Sequence, residues 1–219
     1  MTDDVPIRDA ATVIVVRDPL GSPRVLMGQR GKSAAFMPNK FVFPGGAVDA
    51  SDAEVSLVDD LDPTCRVRLS ARSEGPGPEA LAATAIRELW EETGHRLASE
   101  GDWTPPNVDW DGFGARPSGR GLHFFFRAVT PPGRPRRFDA RFFLVSAESL
   151  LDDPDAMPDA SDELSHLTWV RLDEVRRLDL AFITELVLAE LVRHLPNLGP
   201  PDRVPFIRND RLDSGVVWL

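Results

Sequence analysis

One cysteine, Cys65, and four histidines are all the thiol and imidazole metal ligands in this 219-residue chain. An internal disulfide is therefore impossible, a Cys-rich zinc module is excluded, and nothing calls for an oxidising compartment. Basic charge is also short. The 25 Lys and Arg stand against 35 Asp and Glu, and the net charge of −10 argues against a nucleic-acid or anionic-membrane partner. A small polyanionic ligand would need a counter-ion or local arginine. No apolar run approaches the ~20 residues that cross a bilayer. The acidic start M-T-D-D-V-P-I-R-D lacks the basic region and apolar core of a secretory signal, so a cytoplasmic location is expected. Internal repeats and low-complexity tracts are missing too. What is present is ordinary for a folded chain: 42% hydrophobic and 27% charged residues, in about one and a half times a typical domain length. One elaborated domain over residues 1–219 is expected.

Short Val/Ile-rich runs at 10–16 and 24–29, separated by D-P-L-G-S-P, predict a hairpin, and 40–43 predicts a third strand ended by Pro44 and Gly45-Gly46. Residues 47–78 turn acidic and then Gly/Pro-rich without a sustained period, and read as an excursion from the core. Residues 79–97 form the clearest helix: Pro78 suits its first position, Glu79 suits its positive end, and a broad apolar face includes Leu81, Ala85, Ile86 and Leu89. Strands are expected at 122–129, 138–146 and 167–171, then a helix at 173–194. The tail 196–219 reads as irregular, with 216–219 able to pack or pair as a strand. This order predicts an α+β architecture with a mixed sheet.

The chemistry lies in R-E-L-W-E-E-T-G, residues 87–94. On a helix, Glu88, Glu91 and Glu92 fall at i, i+3 and i+4 and share one surface. Carboxylates so crowded cost stability, whereas a divalent cation turns their repulsion into coordination, and all-oxygen donors suit Mg2+ or Mn2+. Arg87 can neutralise and orient a carboxylate from the side. For these residues alone, a solvated acidic face is the plainer alternative.

The run resembles the Nudix box, whose pattern is Gly, five residues, Glu, seven residues, then R-E-U-x-E-E-x-G-U with U a bulky aliphatic. Glu79 stands seven residues ahead of Arg87, Leu89 fills the first U, Gly94 fills the glycine, and F-P-G-G at 43–46 matches the usual lead-in. Two departures stand out. His95 takes the last aliphatic position as a packing residue. Between Gly46 and Glu79 lie 32 residues instead of five, an insertion of 27 that a surface loop tolerates because closure entropy grows logarithmically. The interrupted box and R-R-F-D-A-R-F-F-L at 136–144 are similar to a Nudix branch that includes coenzyme A diphosphatases; the likeness runs over about residues 9–195. A separate coenzyme A signature aligns only through Arg30 and F-P-G-G, its second Arg and its His falling on Ala35 and Met37.

The resemblance implies a Nudix-type α/β/α sandwich that hydrolyses a nucleoside diphosphate linked to another group by attack of water on the pyrophosphate bridge. It implies Glu88, Glu91 and Glu92 as ligands of Mg2+ or Mn2+, Glu79 joining through water and Gly45 through its carbonyl. Glu79 lies nine residues before Glu88, half a turn out of phase. The general base is a box glutamate, Glu91 or Glu92, or the loop residue Glu163, six before Trp169, with Asp159 and Asp162 as substitutes. His166 reads as a strand surface residue. Arg127, Arg134, Arg136, Arg137 and Arg141 form a basic interval suited to phosphate contacts, Arg137 and Arg141 being the preferred pair. Coenzyme A or an acyl derivative leads as substrate, giving 3′,5′-ADP and 4′-phosphopantetheine; ADP-ribose, NADH and nucleotide sugars follow. A noncatalytic ligand-sensing domain is the rival class. The partner expected is a small nucleotide conjugate, with no nucleic acid or membrane, and homodimers occur in the family.

Overall fold

The computed structural model describes residues 5–31, 37–157, 164–209 and 214–219. Strand β1 (Ile7–Arg17) sits centrally and is apolar on both faces, because helices cover both sides of the sheet. It runs parallel to β8 (Arg137–Ser146) along nearly its whole length. On its other edge β1 pairs antiparallel with β2 (Arg24–Arg30) at its C-terminal end and with β4 (Gly45–Ala47) in its middle. Beyond β2 lie β3 (Phe41–Val42) and β9 (Leu164–Arg171), and beyond β8 lies β7 (His123–Val129). The long sheet is mixed, with the order β11, β10, β7, β8, β1, β2, β3; β10 (Pro205–Asn209) and β11 (Ser214–Trp218) close one edge. Strands β5 (Ala98–Ser99) and β6 (Arg116–Pro117) pair apart from it.

Helix α2 (Pro78–Thr93) packs with Ala11, Val13 and Val15 on one face, and α3 (Phe182–His194) with Ile14, Val16 and Phe142 on the other. This is the expected α/β/α arrangement. Pro78 opens α2, and Gly94, at φ 74°, ends it by returning its N–H to Trp90 O at 2.7 Å. The helix thus stops four residues short of the expected 97, since that left-handed turn cannot continue it. A shift between Phe124 and Phe126 in the β7–β8 ladder breaks strict alternation and puts Phe125 and Phe126 in the same cluster, with Phe124 in the other.

Three further features differ from the sequence reading. The excursion 47–78 contains α1 (Pro63–Ser70), capped by Asp62, whose Oδ1 accepts from Thr64 N at 2.8 Å, and it also contains the 3-10 turn Ala50–Glu54. Helix α3 starts at Phe182 instead of 173, because Asp179 and Leu180 are held extended against Phe41. The tail is not irregular: β10 runs parallel to β7, and β11 folds back on β10.

His95, in the box position where an aliphatic residue is usual, is 1% exposed, and its Nε2 has no hydrogen-bond partner among the described residues. Burial pushes its imidazole pKa below the ordinary value, against the opposing pull of Asp152 and Asp153. As pH falls through about 6.5 the unfolded chain takes up a proton that the folded chain resists, so stability is full above that pH and declines below it. His95→Leu is expected to add about 1 kcal/mol at pH 7 by removing the orphaned nitrogen. It should also flatten the loss between pH 7 and pH 5, as read from urea midpoints; an undiminished loss would place the titrating group elsewhere.

Candidate active site

The middle of β1 brings the glycine turn under α2. Thr12 pairs with Gly45 and Ala11 with Gly46. Gly45 N–H donates to Glu92 Oε2 at 2.8 Å, joining the turn to the helix. At Gly46 an added Cβ would collide with the Glu88 carboxylate, so the bare main chain is what admits that side chain. Glu88 and Glu92 are buried, and Glu91, with 40% of its side chain exposed, lies at the rim.

Arg87 ties these carboxylates together. Its Nη1 donates to Glu88 Oε1 and to Glu91 Oε2, each at 3.0 Å, which sets the two acids side by side. Its Nε and Nη2 grip Asp52 at 2.8 and 2.9 Å, and Nη2 also reaches Ala47 O at 3.3 Å. Burial works against this guanidinium's charge, but the hydrogen bonds to Asp52 and the fields of Glu88, Asp52 and Glu91 outweigh it, holding its pKa above the ordinary value. Asp52 is fully buried and accepts from Thr84 Oγ1 at 2.7 Å and from Asp49 N at 3.0 Å as well. The sequence reading did not select Asp52. Its signal was present in the turn-forming D-A-S-D at 49–52, inside the stretch read as an excursion.

Other expected site residues are placed apart. Glu79 lies nine residues up the helix, about 13 Å from Glu88 along the axis, and is paired with Arg66 of α1 at 2.6 Å. Arg137 is buried and turned to main-chain carbonyls, Thr130 O at 3.0 Å and Asn209 O at 3.1 Å, so it is not brought together with Arg141 at a common phosphate site. Arg141 is buried beside Asp9, Asp139 and Ser73. His166 is exposed on β9, as expected of a surface residue. Glu163, Asp159 and Asp162 lie outside the described residues.

Among the described residues no three His, Cys, Asp or Glu side chains stand grouped to hold a metal ion. Glu88 and Glu91 are instead drawn onto Arg87. The donor set is nevertheless all oxygen, which is the chemistry that suits a hard divalent cation, so these residues fit one.

Residues 6–191 match the family described as the NUDIX domain. The chain belongs to the Nudix family. A Nudix hydrolase from Alicyclobacillus acidocaldarius superposes with a TM-score of 0.64 at 29% identity, covering 87% of this chain and 93% of that one. A MutT protein from Methanosarcina mazei shares the Nudix fold with a TM-score of 0.51 at 14% identity, covering 87% and 96%. Nudix hydrolase 7 of Caenorhabditis elegans is 29% identical over 197 residues, 76% of this chain; the chain spans about half, 52%, of that relative's length.

The two glycines of this Nudix site have different duties. At Gly45, φ is 157°, and an added Cβ would lie 2.5 Å from Ala11 O and 2.6 Å from Thr12 Cα, both main-chain atoms of the central strand. Gly45→Ala should cost about 3 kcal/mol in denaturant unfolding, from backbone strain and overpacking together. At Gly46 the three atoms nearest an added Cβ all belong to the Glu88 side chain, so Gly46→Ala should cost less stability but displace Glu88. Equal losses of stability in the two variants would show that the turn, and not the carboxylate, sets both requirements.

Proposed function

We propose that this Nudix chain is a pyrophosphohydrolase that cleaves a nucleoside diphosphate joined to another group, with coenzyme A or an acyl derivative as the leading substrate. The observation that carries the reading is the convergence of Glu88, Glu91 and Glu92 on one guanidinium and one glycine turn. Such a cluster of acids repels a pyrophosphate, and the family's dependence on divalent metal answers that conflict. Glu88, Glu91 and Glu92, with the Gly45 carbonyl, would hold Mg2+ or Mn2+; Glu79, turned to Arg66, stays outside this set. When bound, the ion neutralises phosphate charge and lowers the pKa of water.

The chain's own residues act around that chemistry. Arg87 keeps Glu88 and Glu91 oriented, and Asp52 keeps Arg87 from leaving them. Gly45 N–H aims Glu92. In the hydrolysis a water oxygen forms a new bond to phosphorus, the bridging P–O bond breaks, and the proton of water passes to a carboxylate. We assign that base to Glu163 or to a box glutamate, Glu91 or Glu92. The 27-residue lengthening of the box favours the coenzyme A branch, and the partial coenzyme A signature weighs against it, so ADP-ribose, NADH and nucleotide sugars remain the alternative substrates. One domain over residues 1–219 and a cytoplasmic location complete the reading.

The test is a substrate panel of coenzyme A, acyl-coenzyme A, ADP-ribose, NADH and nucleotide sugars, with Mg2+ and then Mn2+, products resolved by chromatography. Cleavage of at least one compound at its pyrophosphate bridge is expected. Silence across the panel with both metals would favour a ligand-sensing Nudix domain.

A further inference from the structure

The sheet carries a second chemical feature on the row that passes through Gly46. Pairing aligns Gly46 with Ala11, Ala11 with Arg141, Arg141 with Arg127, and Arg127 with Phe206. Neighbouring strands lie about 4.8 Å apart, so Arg141 stands roughly 10 Å across the sheet from the glycine that faces Glu88. Residues in register share a face, and Ala11 shows which one: it packs in the α2 cluster. The arginines therefore lie on the same side of the sheet as the box helix.

There Arg127 and Arg141 line a cavity of about 850 Å3, joined by Arg72 from the chain ahead of α2 and by Arg208 from β10. Its acids are Asp9, Glu74 and Asp139, so arginines outnumber carboxylates in a chain whose net charge is −10. Arg127 is 3% exposed; it chelates Asp139 through Nε at 2.9 Å and Nη2 at 2.6 Å, and lies over Phe206. Arg141 is 1% exposed. Its two terminal nitrogens reach Asp9, Asp139 and Ser73, while its buried Nε has no partner among the described residues. Burial lowers the pKa of Arg141, and the adjacent Arg127 pushes the same way against Asp139 and Asp9. Arg72 is held at φ 53°, a region that residues with a Cβ rarely adopt. Two buried guanidiniums thus stand side by side, one with an orphaned Nε, each already facing a carboxylate, and Arg72 and Arg208 add further positive charge at the same cavity.

We infer that this cavity is a subsite for a phosphate monoester carried by the substrate, separate from the bridge that is hydrolysed. This rests on the pyrophosphohydrolase reading. Paired guanidiniums match the planar, multidentate hydrogen bonding that phosphate oxygens accept. A separation of roughly 10 Å across two strand spacings fits a phosphate elsewhere on the nucleotide, not the other half of the same bridge, whose phosphates share an oxygen.

Coenzyme A and dephospho-coenzyme A share the pyrophosphate bridge and differ by one ribose phosphate; NADPH and NADH differ in the same way. For whichever pair is cleaved, the ratio of kcat/KM isolates the monoester. A preference of about tenfold or more for the phosphorylated member is expected, equivalent to one well-made contact. It should fall towards one in Arg72→Ala and Arg208→Ala, whose side chains lie outside the core. A wild-type ratio near one, or a ratio unchanged in both variants, overturns the subsite. Orthophosphate should inhibit competitively against the phosphorylated member; noncompetitive inhibition would make the cavity a separate anion site and overturn the assignment to substrate. If neither pair is cleaved, hydrolysis of another panel compound leaves the pyrophosphohydrolase reading standing, and silence across the whole panel ends it. Titration calorimetry with 3′,5′-ADP against 5′-AMP then decides the cavity: tighter binding of the former, lost in the variants, upholds it, and equal binding sinks it.

Discussion

Arg87→Ala is expected to lower the unfolding free energy by about 3–5 kcal/mol, as removal of one partner from a buried ion pair generally does. The cause is what stays behind. Asp52 is fully buried and takes two of its hydrogen bonds from Arg87, so the variant leaves a carboxylate in the interior without its counter-charge. Glu88 and Glu91 lose the group that holds them side by side, and activity should fall with stability. Urea titration at pH 7 measures the first effect. Adding Asp52→Asn to Arg87→Ala should cost little more, since residues in one network are strongly coupled. Additive losses in the double variant would mean that Arg87 and Asp52 contribute separately and that the clamp is not a unit.

Glu92→Gln should reduce kcat by about a thousandfold, or roughly 4 kcal/mol of transition-state stabilisation, on the scale of the electrostatic effects ascribed to metal-assisted hydrolysis. The fold should survive. The amide oxygen of glutamine can still accept the Gly45 N–H bond that Glu92 Oε2 accepts at 2.8 Å, so exchanging a charged acceptor for a neutral one should cost about 1 kcal/mol of stability. The informative comparison sets turnover against urea midpoint in the same preparation. A variant that unfolds readily and retains activity in proportion to its folded fraction would reduce Glu92 to a structural tie between helix and turn. A folded variant with nearly full turnover would remove it from the chemistry.

Much of the site was legible because it is local. Glu88, Glu91 and Glu92 share a helix face by spacing alone, although the spacing carried the helix to 97, four residues past its stop before Gly94. The strands at 10–16 and 24–29 were equally plain, since a central strand covered on both faces must be apolar throughout. Helix α1 could have been found from Asp62-Pro63, a cap followed by proline at the first helical position; acidic and Gly/Pro-rich flanks masked it. The pairing of β10 with β7 could not have been found, because a parallel partner is chosen by the rest of the sheet and leaves little mark in a five-residue strand.

What the sequence determined by itself is the acid-bearing helix, its glycine turn and the family to which they belong, because helical periodicity and the demands of tight turns are written in nearest neighbours along the chain. Only the tertiary structure decided that Asp52 would close the clamp on Arg87, that Glu79 would turn to Arg66, and that Arg127 and Arg141 would meet over a common cavity while Arg137 turned to the main chain. Those outcomes depend on strand order and on which charge reaches which partner away from water. Burial selects among many electrostatically equivalent pairings, and composition and spacing carry no record of the choice.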